Sequence, residues 1–160
     1  MCFENLIFEA TTYIRDFNDF SKSEIVLKNF EINMPKFMAF KKRNKDIINN
    51  NVNKDFCSKI KLFENSIFEI YIIFWFENCE SIQQKKGSYY KILVGELEES
   101  IFDNDKLISK NILKKSHVDY IDNDKHEFRN ITNHIITDKD KVEYFLDAVV
   151  SIHFLKKGNF

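Results

Sequence analysis

The sequence predicts a mainly α-helical bundle built around one long central helix, and three observations lead there. Glycine and proline, both of which hinder helices, number only 3 and 1 in 160 residues. No Asn-Gly or Asp-Gly pair marks a tight hairpin. Apolar residues recur at helical spacing in several stretches. With 44% apolar residues, 17 of them Phe, the chain has material for one packed domain over residues 1–160. The alternative is an α+β fold with a β-hairpin inside 58–98.

Phe3, Leu6, Ile7, Ala10, Tyr13, Ile14 and Phe17 repeat at helical spacing opposite Glu4, Glu9 and Asp16, so the chain opens on an amphipathic helix. Ser21 and Glu24 have capping-box spacing and open a short second helix that runs to Phe30. Pro35 interrupts the chain, and 41–54, rich in Lys and Asn, reads as an exposed loop. Residues 54–86 admit two readings. The β-branched and aromatic runs Ile60–Phe63 and Ile67–Phe76 suit a strand hairpin. The stripe Phe56, Ile60, Phe63, Ile67, Phe74 and Ile82, closed by Lys85-Lys86-Gly87, suits one long helix, which is preferred. Cys57 and Cys79 then stand ~33 Å apart. Ser88 caps a further helix through Tyr90, Leu93, Leu97 and Ile101, and Asp103 or Asp105 opens a short one through Leu113. Asp122 to Asp124 caps a helix bearing Phe128, Ile131 and Ile135. Asp138 begins the last helix, with Val142, Phe145, Val149 and Ile152 on its apolar side.

A net charge of −1 gives no general attraction to nucleic acid, although its distribution is uneven. Residues 36–61 hold eight Lys or Arg against Asp46 and Asp55, whereas 96–147 hold thirteen acids against eight bases. Cys2, Cys57 and Cys79 lack C-x-x-C spacing, so neither a disulfide framework nor a zinc site is expected. The apolar run 67–76 is about half the ~20 residues of a membrane helix and contains Glu69. Without a secretory signal, the expected location is the cytoplasm, with no membrane association.

The one chemically suggestive segment is Arg129-Asn130-Ile131-Thr132-Asn133-His134. On a helix turning about 100° per residue, Phe128, Ile131 and Ile135 face inward while Arg129, Asn130, Asn133 and His134 form one polar stripe. Arginine grips phosphate oxygens, histidine moves protons near neutral pH, and amides orient either group. The segment resembles the signature of the HEPN superfamily, helical-bundle proteins of toxins and antiviral systems. That signature is an Arg followed by a polar residue, then a His after four to six positions. Here these are Arg129, Asn130 and His134, and residues 138–157 resemble the family's closing helix.

The resemblance implies a metal-independent endoribonuclease of a toxin or defence system, with no metal or cofactor. His134 would serve as general base or acid on a ribose 2′-hydroxyl, Arg129 would stabilise the phosphate, and Asn130 would position one of them. A homodimer would complete the site. Lys41, Lys42, Arg43 and Asn133 are the candidate RNA contacts. Position 136 is Ile, where some toxins of the family carry a Tyr modified by a partner antitoxin, so that partnership is not implied. The alternative function is a non-enzymatic immunity protein or inhibitor, its acidic 96–124 region meeting a toxin or another basic cognate partner.

Overall fold

The computed structural model describes residues 2–52, 57–76, 79, 82–83, 86–122, 125–130 and 148–157. It overturns the mainly helical expectation. Among the described residues four α-helices are confined to the first 50 positions, and nine strands follow. The helices are α1 (Glu4–Phe17), α2 (Ser23–Asn29), α3 (Met34–Arg43) and α4 (Lys45–Asn50). The strands are β1 (Cys57–Glu64), β2 (Phe68–Trp75), β3 (Ile82–Gln83), β4 (Ser88–Val94), β5 (Leu97–Asp103), β6 (Lys106–Leu113), β7 (Val118–Tyr120), β8 (Lys125–Arg129) and β9 (Val149–Lys156). They form a five-stranded sheet in the order β1-β2-β9-β4-β7 and a four-stranded sheet in the order β3-β8-β5-β6.

The opening helix forms where its apolar stripe placed it, burying Leu6, Ala10 and Ile14 and stopping at Asn18, whose φ of 47° is left-handed. Ser21 does not cap α2. Instead the Asp19 carboxylate accepts from the Ser21 backbone N–H and hydroxyl, starting a 3-10 turn at Phe20–Lys22 that runs into the helix. Pro35 does not interrupt the chain either. It lies in the first turn of α3, where a missing N–H costs nothing, and Asn33 caps that helix through Lys36 N–H. The stretch expected as a loop, 41–54, carries the end of α3 and all of α4, and Lys41 is buried.

Residues 57–75 pair as an antiparallel hairpin, from Cys57 opposite Trp75 to Glu64 opposite Glu69, not as a helix. Tight turns are made without Asn-Gly. Asn65 Oδ1 accepts from the N–H groups of Ile67 and Phe68. At the β5–β6 turn, Asn104 and Asp105 adopt φ of 50° and 65° themselves, the positive values that such a hairpin needs. Short polar side chains tolerate this region, which is how a glycine-poor chain builds a β fold.

The five-stranded sheet is covered on both faces. Its outer face, with Phe68, Ile70, Ile72, Phe74, Val150, Ile152 and Phe154, packs against Leu6, Ala10, Ile14, Leu27, Phe37 and Phe40 of the helices. Phe37 stacks on Phe74 with ring centroids 6.4 Å apart. Lys91 reaches from β4 across this layer, and its Nζ donates to the carbonyls of Leu27 (2.9 Å) and Phe30 at the end of α2. Carbonyls left over at a helix C-terminus attract a cation there. The inner face meets the four-stranded sheet around a second core of Trp75, Tyr90, Ile92, Leu97, Leu113, Phe128 and Val149. No helix among the described residues is long and apolar enough to cross a membrane.

Candidate functional site

Cross-strand partners share a face, so the registers lay out the inner face of the five-stranded sheet as rows. One row runs Cys57, Trp75, Val149. The next runs Lys59, Ile73, Ser151, Ile92, and the third Lys61, Tyr71, His153, Tyr90, Asp119. Packed sheets bury alternating apolar residues between them. Here the second and third rows are largely polar. From the facing sheet, Glu99 and His126 project into the same space, Glu99 opposite Phe128 and His126 opposite Ile101 on adjoining strands. Ring contacts tie the two sides together: Tyr90 to Phe128 at 5.0 Å and Trp75 to Phe128 at 5.8 Å.

Two hydrogen-bonded chains fill this space. In the first, His126 lies between two carboxylates, its Nδ1 3.0 Å from Glu99 and its Nε2 2.9 Å from Asp122. The Tyr90 hydroxyl donates to the same Glu99 oxygen at 3.1 Å. Glu99 and His126 are buried while Asp122 is exposed, so the chain leads from solvent to the sandwich interior. Burial favours the neutral imidazole. The hydrogen bonds to Glu99 and Asp122 outweigh it, and the net His126 pKa is raised. Burial, with the Glu99 charge beside it, also raises the Tyr90 phenol.

In the second chain, Trp75 Nε1–H donates to Ser151 Oγ at 2.8 Å, and Ser151 Oγ lies 2.7 Å from His153 Nε2. With Trp75 donating to that oxygen, the hydroxyl proton is directed at Nε2, which accepts as part of a neutral ring. Burial, helped by the Lys59 charge, lowers the His153 pKa to about 3. The Tyr90 ring stacks on His153 at 5.7 Å. Towards β1 the inner face opens to solvent: Lys59 and Lys61 are exposed and Tyr71 half-buried. Lys59 Nζ sits 4.1 Å from the centre of the Tyr71 ring. Lys61 is held by Glu64 at 2.5 Å and by Glu69 at 3.4 Å.

Among the described residues no three His, Cys, Asp or Glu side chains are grouped to hold a metal ion. Both ring nitrogens of His126 face carboxylates. The chemistry that this arrangement offers is proton storage at His126 and electrostatic attraction of an anion at Lys59.

Among the described residues, those singled out from the sequence are not brought together. Arg129 ends β8, exposed, with Glu98 opposite it on β5. Asn130 is buried and donates from Nδ2 to the Trp75 carbonyl at 2.7 Å, a latch between the sheets. Asn133 and His134 lie outside the described residues. Because 125–129 is a strand, successive side chains alternate between faces, and the helical stripe that joined Arg129 to Asn130 does not form there. Lys42 and Arg43 are exposed on α3, while Lys41 is buried with its ammonium 5.0 Å from the Phe37 ring centre.

The HEPN resemblance and the toxin ribonuclease that it implied are therefore overturned, since that domain is a helical bundle. The immunity-protein alternative falls as well. Adjacent acids of the 96–124 region are divided between faces: Glu98 points outward to Lys110 at 3.5 Å, while Glu99 points inward to Tyr90 and His126.

Sequence reasoning did not single out Ser151, took His126 and His153 as ordinary surface or core histidines, and placed Glu99 only in an acidic surface region. Their signal was available: Ser151 and His153, two apart in an apolar run, share a face only if that run is a strand.

No protein-family model and no curated protein matches the chain. Several solved structures are similar to it at low identity. One is an RmlC-like cupin family protein with a double-stranded β-helix fold from Methanocaldococcus jannaschii, at 15% identity and TM-score 0.46, covering 65% of this chain and 83% of that one. Another is the Schizosaccharomyces pombe Cnp3 cupin domain, at 16% identity and TM-score 0.45, covering 63% and 65%. A third is a putative ethanolamine utilization protein Q of Salmonella typhimurium, at 14% identity and TM-score 0.46, covering 69% and 76%.

Proposed function

We propose that this chain binds a small carboxylate-bearing molecule at the solvent-open end of the polar inner face, beside Lys59 and Tyr71, with His126 as the proton-carrying group of the site. The observation that carries this reading is the inner-face arrangement itself. Lys59, Tyr71, Ser151, His153 and Tyr90 occupy positions that a purely structural sandwich would fill with aliphatic side chains. Polar groups in a packed interior cost stability unless paired, and a fold bears that cost where a ligand is recognised. Lys59, at the open end, supplies the counter-charge, and Tyr71 and His153 give a wall that is part aromatic and part polar. His126 holds its proton between Glu99 and Asp122, and Asp122 connects it to solvent.

Trp75 tests this directly. It is the only tryptophan, it is buried, and its indole N–H is bonded to Ser151 within the same space. Titration with a panel of small carboxylic acids is expected to change its emission saturably. Lys59→Gln should weaken that response about five- to tenfold, in line with losing one partly screened charge contact. Emission that no acid perturbs, or a response of equal strength in Lys59→Gln, would remove the proposal.

A further inference from the structure

On the other face of the five-stranded sheet, the 3-10 turn after α1 and the ends of β4, β7 and β9 enclose a cleft of about 630 Å³, lined in part by Phe20, Tyr89, Tyr120, Lys86 and Lys156. We infer that this cleft is a second, separate binding site whose ligand is a planar aromatic ring carrying one carboxylate. The site does not depend on the inter-sheet space. Tyr89 pairs with Phe154 and Tyr120, which places it on the helix-covered face, opposite to Tyr90 and His153.

Three features select this ligand. The volume lies within the range of roughly 300–1,000 Å³ that small-molecule sites occupy. The wall is a ladder of rings, Phe20 edge-on to Tyr89 at 5.6 Å and Tyr89 tilted on Tyr120 at 4.7 Å. Tyr120 is 44% exposed, so one end of that ladder is open for another ring to extend it. The charges at the rim are unbalanced. Among the described residues Asp19 is the one acid lining the cleft; it accepts from the Ser21 backbone N–H (2.9 Å) and hydroxyl (2.6 Å), and its single charge faces Lys22 as well as Lys156. Neither Lys86 nor Lys156 forms an ion pair among the described residues. Two ammonium groups beside an aromatic wall suit a ligand that is flat and apolar in its body and anionic at one end.

The test uses the full chain labelled with fluorotyrosine, with the Tyr89 and Tyr120 fluorine resonances assigned from Tyr89→Phe and Tyr120→Phe. Benzoate is expected to shift both resonances saturably, and any change that it makes in Trp75 emission through the inter-sheet space should follow a separate binding curve, because the indole lies across the sheet. Lys86→Gln with Lys156→Gln should weaken benzoate about five- to tenfold, and so should Tyr120→Ala, while Lys59→Gln leaves it unaltered. Benzamide keeps the ring without the charge, and acetate the charge without the ring. Each should bind at least about fivefold more weakly than benzoate. No saturable shift up to about 10 mM benzoate would overturn the site, at a concentration where even weak fragments occupy a real cleft. Equal binding of benzamide, or of acetate, would overturn the ligand assignment. A loss of benzoate binding in Lys59→Gln would overturn its independence from the inter-sheet space.

Discussion

His126 and His153 face the same interior and respond to pH in opposite senses. His126 carries a raised pKa, because two carboxylates outweigh its burial. The stability that it adds is fully present below the ordinary imidazole value of 6.5 and is lost as pH rises through its folded-state value. His153 is buried with its pKa lowered to about 3, so its contribution is present above 6.5 and lost as pH falls from there towards 3. At about 1.4 kcal/mol per unit, the acid limb amounts to on the order of 5 kcal/mol. Thermal melts across pH should therefore show a maximum near 6.5 with losses on both sides. His153→Gln should flatten the acid side and His126→Gln the alkaline side. A protein whose melting point is level from pH 4 to 6 would contradict the neutral His153 described here.

At the scale of the elements, two positions make joints. Gly95, between β4 and β5, has φ of +79°, and a Cβ there would stand 2.9 Å from Val149 Cγ2. Gly95→Ala should cost about 1–2 kcal/mol for the left-handed backbone alone, read as a lower urea midpoint, with the clash adding to it. Lys91→Met should cost about 1–3 kcal/mol by stripping a donor from the Leu27 and Phe30 carbonyls. The same measurement checks it, and an unchanged midpoint would mean that the α2 end is solvated already.

These joints also explain what the sequence did and did not disclose. Helix α1 was legible because one of its faces meets water, leaving a clean helical stripe. Strand β2 was not, because both of its faces are buried: Ile70, Ile72 and Phe74 on one side, Ile73 and Trp75 on the other. In such a strand period two vanishes, and an unbroken apolar run fits a helical stripe as easily. The hairpin turns were hidden for a different reason: Asn104 and Asp105 adopt the positive φ usually assigned to glycine, and the Asn65 side chain closes its turn by accepting from Ile67 and Phe68. The inner-face site was lost along with the strands, because Lys59, Tyr71, His153 and Tyr90 come from four segments that only sheet registers bring into line.

Across the whole molecule, one sheet serves two cores, so damage on either side reaches the other. Phe37, fully buried against Phe74, couples the helical layer to the sheet. Phe37→Ala should destabilise the protein by about 3–5 kcal/mol, measured by denaturant unfolding. If the cores share one cooperative unit, Trp75 emission and far-ultraviolet dichroism will report the same transition; separated transitions would refute that coupling.

The position of β9 has a further consequence. It is the middle strand of its sheet, seated between β2 and β4, yet it comes from the far end of the described chain. Until residues 149–156 are synthesised and find their place, β2 and β4 each present a bare apolar edge. Maturation is then paced by a long-range search, and a ribosome-bound nascent chain ending before Val149 should be held by chaperones or aggregate.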